Sequence, residues 1–167
     1  MSAIFSLRGP MNTSKSTFAT TIPGRKFWFD LELGAHRAVW RAEPDSYTLW
    51  CPSTLKEFAL FMLTFRKGDR ISGASALWTE ITKKYTLDIL PNSDYPIIVF
   101  DTAKLLWTVN SMSTLEAKQD AQLEDAIHKA LPNTPLEIIE AKVNWRASLL
   151  PIEYSQPNAR MRSILDL

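Results

Sequence analysis

The sequence has few of the residues from which metal sites and disulfide frameworks are built. Its 167 residues include one cysteine, Cys51, and two histidines, His36 and His128. A single cysteine excludes an internal disulfide, and so few thiol and imidazole groups leave no zinc-ligand cluster. The apolar run at residues 58–63 is far shorter than the roughly 18 residues that a membrane span needs. We therefore expect a reduced, cytoplasmic protein without a membrane anchor.

Overall charge and two common catalytic motifs also give no direct indication of function. The 19 basic and 18 acidic residues leave a net charge of +1, so contact with nucleic acid would need a local basic patch. The chain lacks the G-x-S-x-G motif of many hydrolases and the G-x-G-x-x-G motif of dinucleotide-binding domains. With 46% hydrophobic residues, a chain of this length can bury a sizeable core, which favours one domain spanning residues 1–167.

Short apolar, β-prone segments alternate with helical patterns along the chain. Strands are predicted at residues 3–7, 26–30, 47–50 and 95–101, the last of them buried on both faces. Helices are predicted at residues 15–21, 55 to about 68, 74–85, 113–131 and 135–145, and from Asn158 onward. The helices at 55 and 113 follow the capping-box patterns of residues 54–57 and 113–116. This alternation predicts an α/β fold with three layers, a mostly parallel sheet and helices on both faces.

The first predicted strand runs into a polar loop, GPMNTSKST, that precedes the first predicted helix. Its spacing is close to that of a phosphate-binding loop, G-x-x-x-x-G-K-[ST], with Lys15 placed to reach phosphates and the Ser16 hydroxyl placed to hold Mg²⁺. Ser14 stands where the second glycine is expected, which predicts weakened binding or an altered loop. An ordinary polar turn before a helix is the alternative. The candidate nucleotide-binding residues are Gly9, Pro10, Met11, Asn12, Thr13, Ser14, Lys15, Ser16 and Thr17.

Carboxylates follow two of the predicted strands. Asp30 and Glu32 come at the end of one strand and Asp101 at the end of another. In parallel sheets the carboxyl ends of the strands form the ligand-binding edge, where we also expect Gly9. Either Asp30 or Glu32 could orient or deprotonate an attacking water, and Asp101 could support Mg²⁺ through water. Alternatively, Asp101 is a strand-end turn residue and Asp30 a cap or an ion-pair partner.

In combination these segments resemble the RecA-like P-loop ATPases, most closely the phage nucleotide-binding ATPases associated with recombination. The residues that carry the resemblance are those of the loop, the F-D-L-E-L-G segment at residues 29–34, and residues 97–102. The resemblance spans roughly residues 3–102 and, more loosely, residues 154–167. It implies ATP and Mg²⁺ as cofactors, Lys15 and Glu32 as catalytic residues, and Ser16 and Asp101 on the metal side. It also implies single-stranded DNA and further copies of the chain as partners, and the host cytoplasm as the location.

The chain departs from this family beyond its last predicted helix. RecA-like domains continue with an apolar strand that carries a polar sensor residue, whereas this sequence stops at Leu167. We expect either a domain truncated at its C-terminus or a protein that has given up part of the ATPase. Slow ATP hydrolysis in DNA recombination or replication is the leading hypothesis. The alternatives are a degenerate P-loop module that binds nucleotide or a partner without turnover and, more weakly, a small-molecule or nucleotide kinase.

Three groups of basic residues are secondary candidates. A kinase lid would need more arginines than the modest cluster of residues 66–70 provides. Trp145, Arg146 and Tyr154 could clamp single-stranded nucleic acid, although a packed surface loop is the simpler interpretation. Arg160 and Arg162 could act as arginine fingers, although a solvated helix face is the default expectation.

Overall fold

A computed structural model describes Leu7 and residues 15–40, 42–92 and 94–165. The predicted strand at residues 3–7, apart from Leu7, and residues 9–14 of the predicted loop lie outside the described residues. Within the described ranges the chain forms three β-strands and seven α-helices. The strands are β1 (Lys26–Asp30), β2 (Tyr47–Trp50) and β3 (Ile97–Asp101). The helices are α1 (Lys15–Thr21), α2 (His36–Val39), α3 (Leu55–Thr64), α4 (Ala74–Lys83), α5 (Ala103–Lys129), α6 (Leu136–Lys142) and α7 (Ser155–Leu165).

Shorter helical turns connect some of these elements. A π-helical segment, Lys84–Ile89, continues α4, and 3₁₀ turns at Pro44–Ser46 and Pro151–Tyr154 precede β2 and α7. No helix in the described part of the chain is both long and apolar enough to cross a membrane.

The three strands form one parallel sheet with the order β2-β1-β3. Lys26 pairs with Tyr47 on one side and with Ile97 on the other, and Asp30 pairs with Asp101 at the far end. The carboxyl ends of β1 and β3 therefore meet at one edge of the sheet. The α/β class and the parallel sheet agree with the prediction from the sequence, as does the shared edge of the two aspartates.

Alternation along β1 sends side chains into two separate apolar clusters. Phe27 and Phe29 belong to the larger cluster, to which α3, α4, α5 and α7 contribute, whereas Trp28 packs with Ala19 of α1 and Val39 of α2. Because helices contribute to both clusters, the arrangement is compatible with three layers. All five residues of β1 are buried, while those of β3 are only partly buried. The side chains of β3 pack on both clusters but are only partly buried, so the prediction that this strand is buried on both faces is correct only in part.

The helix predicted to begin at the 113–116 capping box begins ten residues earlier, so that prediction is wrong. The N-cap of α5 is Thr102, whose hydroxyl accepts from the backbone N–H of Leu105 at 3.4 Å. Ser113 lies inside the helix, and its hydroxyl donates to the Asn110 carbonyl. Glu116 instead accepts from the N–H groups of Gly73 and Ser75 and so caps the start of α4. The carboxylate of this capping-box pattern therefore stabilises the start of α4 and not the start of its own helix, α5.

The first capping box predicts the start of α3 correctly but not its hydrogen bonds. The Thr54 side chain makes no cap bond within α3. The carboxylate of Glu80 in α4 accepts instead from the N–H of Ser53, the N–H of Thr54 and the Thr54 hydroxyl. Three predicted helices also have different bounds: α3 ends at Thr64, α6 covers only Leu136–Lys142, and α7 begins at Ser155, before Asn158.

Candidate functional site

The site begins with a hydrogen bond between the first turn of α1 and the end of β3. The Ser16 hydroxyl donates to Oδ2 of Asp101 at 2.9 Å, although the two residues are 85 positions apart in the chain. Helix α1 can lie there because its buried Ala19 packs on the same face of the sheet as Trp28 and Val99. This packing places the N-terminal end of α1 over the carboxyl edge of the sheet, where helix N–H groups favour anions.

The surroundings of Asp101 raise the pKa of its carboxyl group. Burial raises its pKa, the hydrogen bond from Ser16 opposes this shift, and the negative charges of Glu32 and Asp30 raise the pKa further. The nearby Trp28 indole, like Ser16, lowers the pKa of Asp101. The indole N–H is fully buried and has no acceptor in hydrogen-bond geometry among the described residues. Such an acidic group gains stabilisation from a cation or from additional donors.

Asp30 has a structural role at this edge. Its side chain is buried, and its two oxygens accept from the N–H groups of Gly34 at 3.0 Å and Ala35 at 3.2 Å. The carboxylate therefore closes the turn between β1 and α2. Of the two interpretations that the sequence left open for Asp30, the structure agrees with the cap.

Glu32 lies beside Thr102 just beyond the sheet. The ladder between β1 and β3 continues one step, because the Leu31 N–H donates to the Asp101 carbonyl at 2.8 Å. The Thr102 hydroxyl then donates to Oε1 of Glu32 at 3.0 Å. Glu32 is exposed, and it precedes Leu33, whose φ of 56° is in the left-handed region. The Glu32 carboxylate is thus open to water and held from one side.

The structure brings together three of the predicted site residues, namely Ser16, Glu32 and Asp101. Lys15 and Thr17 flank Ser16 in the first turn of α1. The remaining predicted loop residues lie outside the described residues: Gly9, Pro10, Met11, Asn12, Thr13 and Ser14. Sequence reasoning gave no role to Thr102 or Trp28. A hydroxyl residue directly after a strand-ending aspartate, at the start of a helix, is the signal that could have drawn attention to Thr102.

Among the secondary candidates, Arg70, Trp145 and Arg146 have partners within the fold. Arg70 pairs with Asp120 at 3.1 Å and with Glu140, and its guanidinium lies 5.3 Å from the centre of the Trp145 ring. Arg146 binds Glu153 through two hydrogen bonds of 2.8 and 2.7 Å. These contacts tie together α5, α6 and the turn before α7. They agree with the packed-loop interpretation of the late aromatic segment.

Arg160 is also engaged within the fold. Its guanidinium donates to the hydroxyls of Ser113 at 3.1 Å and Thr114 at 3.4 Å, both in the middle of α5. This arrangement joins α7 to α5 and gives Arg160 a packing role in the described structure.

The oxygen atoms at the site match the partial coordination that proteins give to Mg²⁺, and among the described residues they do not form a complete metal site of protein ligands. In the described part of the chain, no three His, Cys, Asp or Glu side chains are close enough to hold a metal ion. Mg²⁺ usually keeps several waters and is bound by one or two protein oxygens together with substrate phosphates. The Ser16 hydroxyl and the Asp101 carboxylate, in contact at the start of a helix, fit that pattern.

Comparisons with protein-family models, with curated proteins and with solved structures found no match to this chain.

Proposed function

We propose that this chain is a RecA-like P-loop NTPase domain that binds ATP with Mg²⁺ and hydrolyses it slowly. The observation that carries the proposal is the hydrogen bond from Ser16 to Asp101. A P-loop enzyme needs a hydroxyl at the start of the helix after the loop and an aspartate at the end of a neighbouring strand, acting on one metal ion. Here two residues selected separately from the sequence for those roles are in direct contact.

The neighbouring groups supply the other roles that phosphoryl transfer requires. Lys15, in the first helical turn, would contact the β- and γ-phosphates, and the N–H groups at the start of α1 would face them. Ser16 and Asp101 would hold Mg²⁺, which when bound neutralises charge on the phosphates. Glu32, exposed at the same edge, would orient the attacking water and accept its proton.

The cellular role in DNA recombination or replication rests on the family resemblance alone, as do single-stranded DNA and oligomer partners. Stimulation of ATP hydrolysis by single-stranded DNA, compared with stimulation by a small phosphate acceptor, distinguishes this role from a kinase. The contacts of Arg70 with Asp120 and Glu140 weigh against the kinase alternative, because they engage one of the three basic side chains considered as a lid.

Calorimetry of ATP binding, with and without Mg²⁺, tests the proposal in the wild type and in Lys15→Ala. We expect Mg²⁺-dependent binding by the wild type and a loss of at least roughly ten-fold in affinity for the variant, because a lysine charge on the phosphates is removed. Lys129→Ala is the matched control. It lies at the other end of the 27-residue helix α5, about 40 Å from the start of that helix at 1.5 Å per residue.

The results separate the hypotheses. Equal ATP affinity in wild type and Lys15→Ala would contradict the proposal. Binding that depends on Lys15 without release of phosphate would favour the degenerate P-loop module, which the presence of Ser14 in the loop already suggests.

A further inference from the structure

In the part of the chain that the structure describes, Thr102 supplies the hydroxyl in contact with the proposed water-activating carboxylate. It follows β3 directly and is the N-cap of α5, so its backbone is fixed by two regular elements. Its side chain is half-buried, whereas Glu32 follows β1 in an exposed bend. The contact therefore joins a well-anchored group to a side chain that has many rotamers in solution.

The hydroxyl of Thr102 is both a hydrogen-bond donor and a hydrogen-bond acceptor. It donates its proton to Oε1 of Glu32 at 3.0 Å and accepts from the Leu105 N–H at 3.4 Å. A hydroxyl has one proton to donate, and the cap bond engages an oxygen lone pair, so the proton is directed toward Glu32. The cap thus sets the direction in which Thr102 donates.

Only one oxygen of Glu32 is engaged by this contact. Among the described residues, Oε2 of Glu32 has no hydrogen-bond partner. A carboxylate held at Oε1 presents Oε2 in a restricted set of directions. A general base of this kind works when its free oxygen is within about 3 Å of the proton it takes.

We infer that Thr102 is a positioning residue that holds Glu32 so that Oε2 faces the attacking water during ATP hydrolysis. This inference rests on the proposed function and adds a residue that sequence analysis did not assign. Thr102 acts through Glu32 and touches no reacting atom.

Four variants of the full chain separate this role from the capping role. Thr102→Ser keeps both hydrogen bonds. Thr102→Val removes both of them. Thr102→Asp keeps an acceptor for the Leu105 N–H but cannot donate and repels Glu32. Thr108→Val is the matched control, because Thr108 lies in the same helix and its hydroxyl donates only to the Lys104 carbonyl.

The measurements are steady-state ATP hydrolysis and ATP affinity with Mg²⁺. We expect kcat to fall roughly ten-fold or more in Thr102→Val and Thr102→Asp, since a misplaced catalytic group costs rate without changing ground-state binding. ATP affinity should stay within about two-fold in Thr102→Val, and Thr102→Ser and Thr108→Val should keep wild-type kcat. In a Glu32→Gln background, Thr102→Val should cause no further loss.

Other results would overturn the inference, and each of them identifies the step that fails. A wild-type kcat in Thr102→Val, or an increased one, would show that Thr102 does not position the base, and the proposed function would stand. Wild-type hydrolysis by Thr102→Asp would reduce Thr102 to a helix cap. A wild-type chain that binds ATP without hydrolysing it would remove the step that Thr102 serves, and one that does not bind ATP would overturn the proposed function as well.

Discussion

Asp30 and Asp101, at the carboxyl edge of the sheet, have the same side chain but different hydrogen-bond partners. Asp30 uses both oxygens to close the turn toward α2, whereas Asp101 receives one bond from the Ser16 hydroxyl and has a raised pKa because of burial. The two aspartates are directly paired in the sheet register. Their chemistry therefore depends on which backbone N–H groups lie within reach, and residue type alone does not separate the two roles.

Replacing the Asp101 carboxyl tests its proposed role on the metal side. In Asp101→Asn we expect the Mg²⁺-dependent part of ATP affinity to fall at least roughly ten-fold, because the negative charge near the ion is lost. ATP affinity without Mg²⁺ should change little. Asp88→Asn, which removes an exposed carboxylate paired with Lys84, is the matched control. Calorimetry with and without Mg²⁺ measures both, and an unchanged Mg²⁺ dependence in Asp101→Asn would assign Asp101 to the turn instead.

Two helices in this fold are capped by carboxylates from other elements. Glu80 of α4 accepts three hydrogen bonds from Ser53 and Thr54 at the start of α3, and Glu116 of α5 accepts from the start of α4. The positive ends of both helices therefore face a negative charge. These links connect α3, α4 and α5 through polar contacts in addition to their apolar packing.

Glu80 should accordingly contribute to stability in a pH-dependent way. Burial would raise the pKa of Glu80, but the hydrogen bonds from Ser53 and Thr54 outweigh it and lower the pKa. A lowered pKa means that the stabilisation is present above the pKa of glutamate in the unfolded chain and is lost as pH falls through the folded value. We expect Glu80→Gln to lose about 1 kcal/mol of unfolding free energy at pH 7.

Urea denaturation at pH 7 and at pH 3 measures this contribution. The difference between wild type and Glu80→Gln should shrink at pH 3, which lies below the ordinary pKa of glutamate in the unfolded chain, so that part of the stabilisation is lost. Glu124→Gln, on the exposed surface of α5, should be near neutral at both values. A Glu80→Gln effect that is equally large at both values would mean that packing, and not the charge, is responsible.

At the scale of the whole molecule, the central strand organises the described part of the chain. Phe29 of β1 is 0% exposed, stacks on Phe100 of β3 at 4.6 Å, and meets Trp50 of β2 edge-on at 5.2 Å. This side chain of the central strand thus contacts both neighbouring strands and belongs to the larger apolar cluster. Removing it should loosen the sheet and the helices that pack on it together.

Phe29→Ala should therefore lose about 3–5 kcal/mol of unfolding free energy, the usual cost of an aromatic-to-alanine cavity. Phe18→Ala makes the same chemical change at a side chain of α1 that is 56% exposed, and it should cost little. Chemical denaturation of both variants gives the comparison. Similar losses at the two positions would contradict the central place of Phe29 in the core.

The sequence by itself determined several of the local elements, because apolar alternation and helix propensity act over a few neighbouring residues. It predicted the bounds of β1, β2 and α1, the parallel sheet, and a common edge for Asp30 and Asp101. The sequence also selected Ser16, Glu32 and Asp101 as site candidates, while residues 9–14 of the predicted loop lie outside the described residues.

Only the tertiary structure decided which donors meet which acceptors, because a hydrogen bond is chosen by proximity in space and not by separation along the chain. The Glu116 of an apparent capping box stabilises α4, more than 40 residues away, and α5 begins instead at Thr102. For the same reason, no local pattern could reveal that Ser16 contacts Asp101 or that Thr102 holds Glu32. Both contacts arise where parallel strands from distant parts of the chain end side by side.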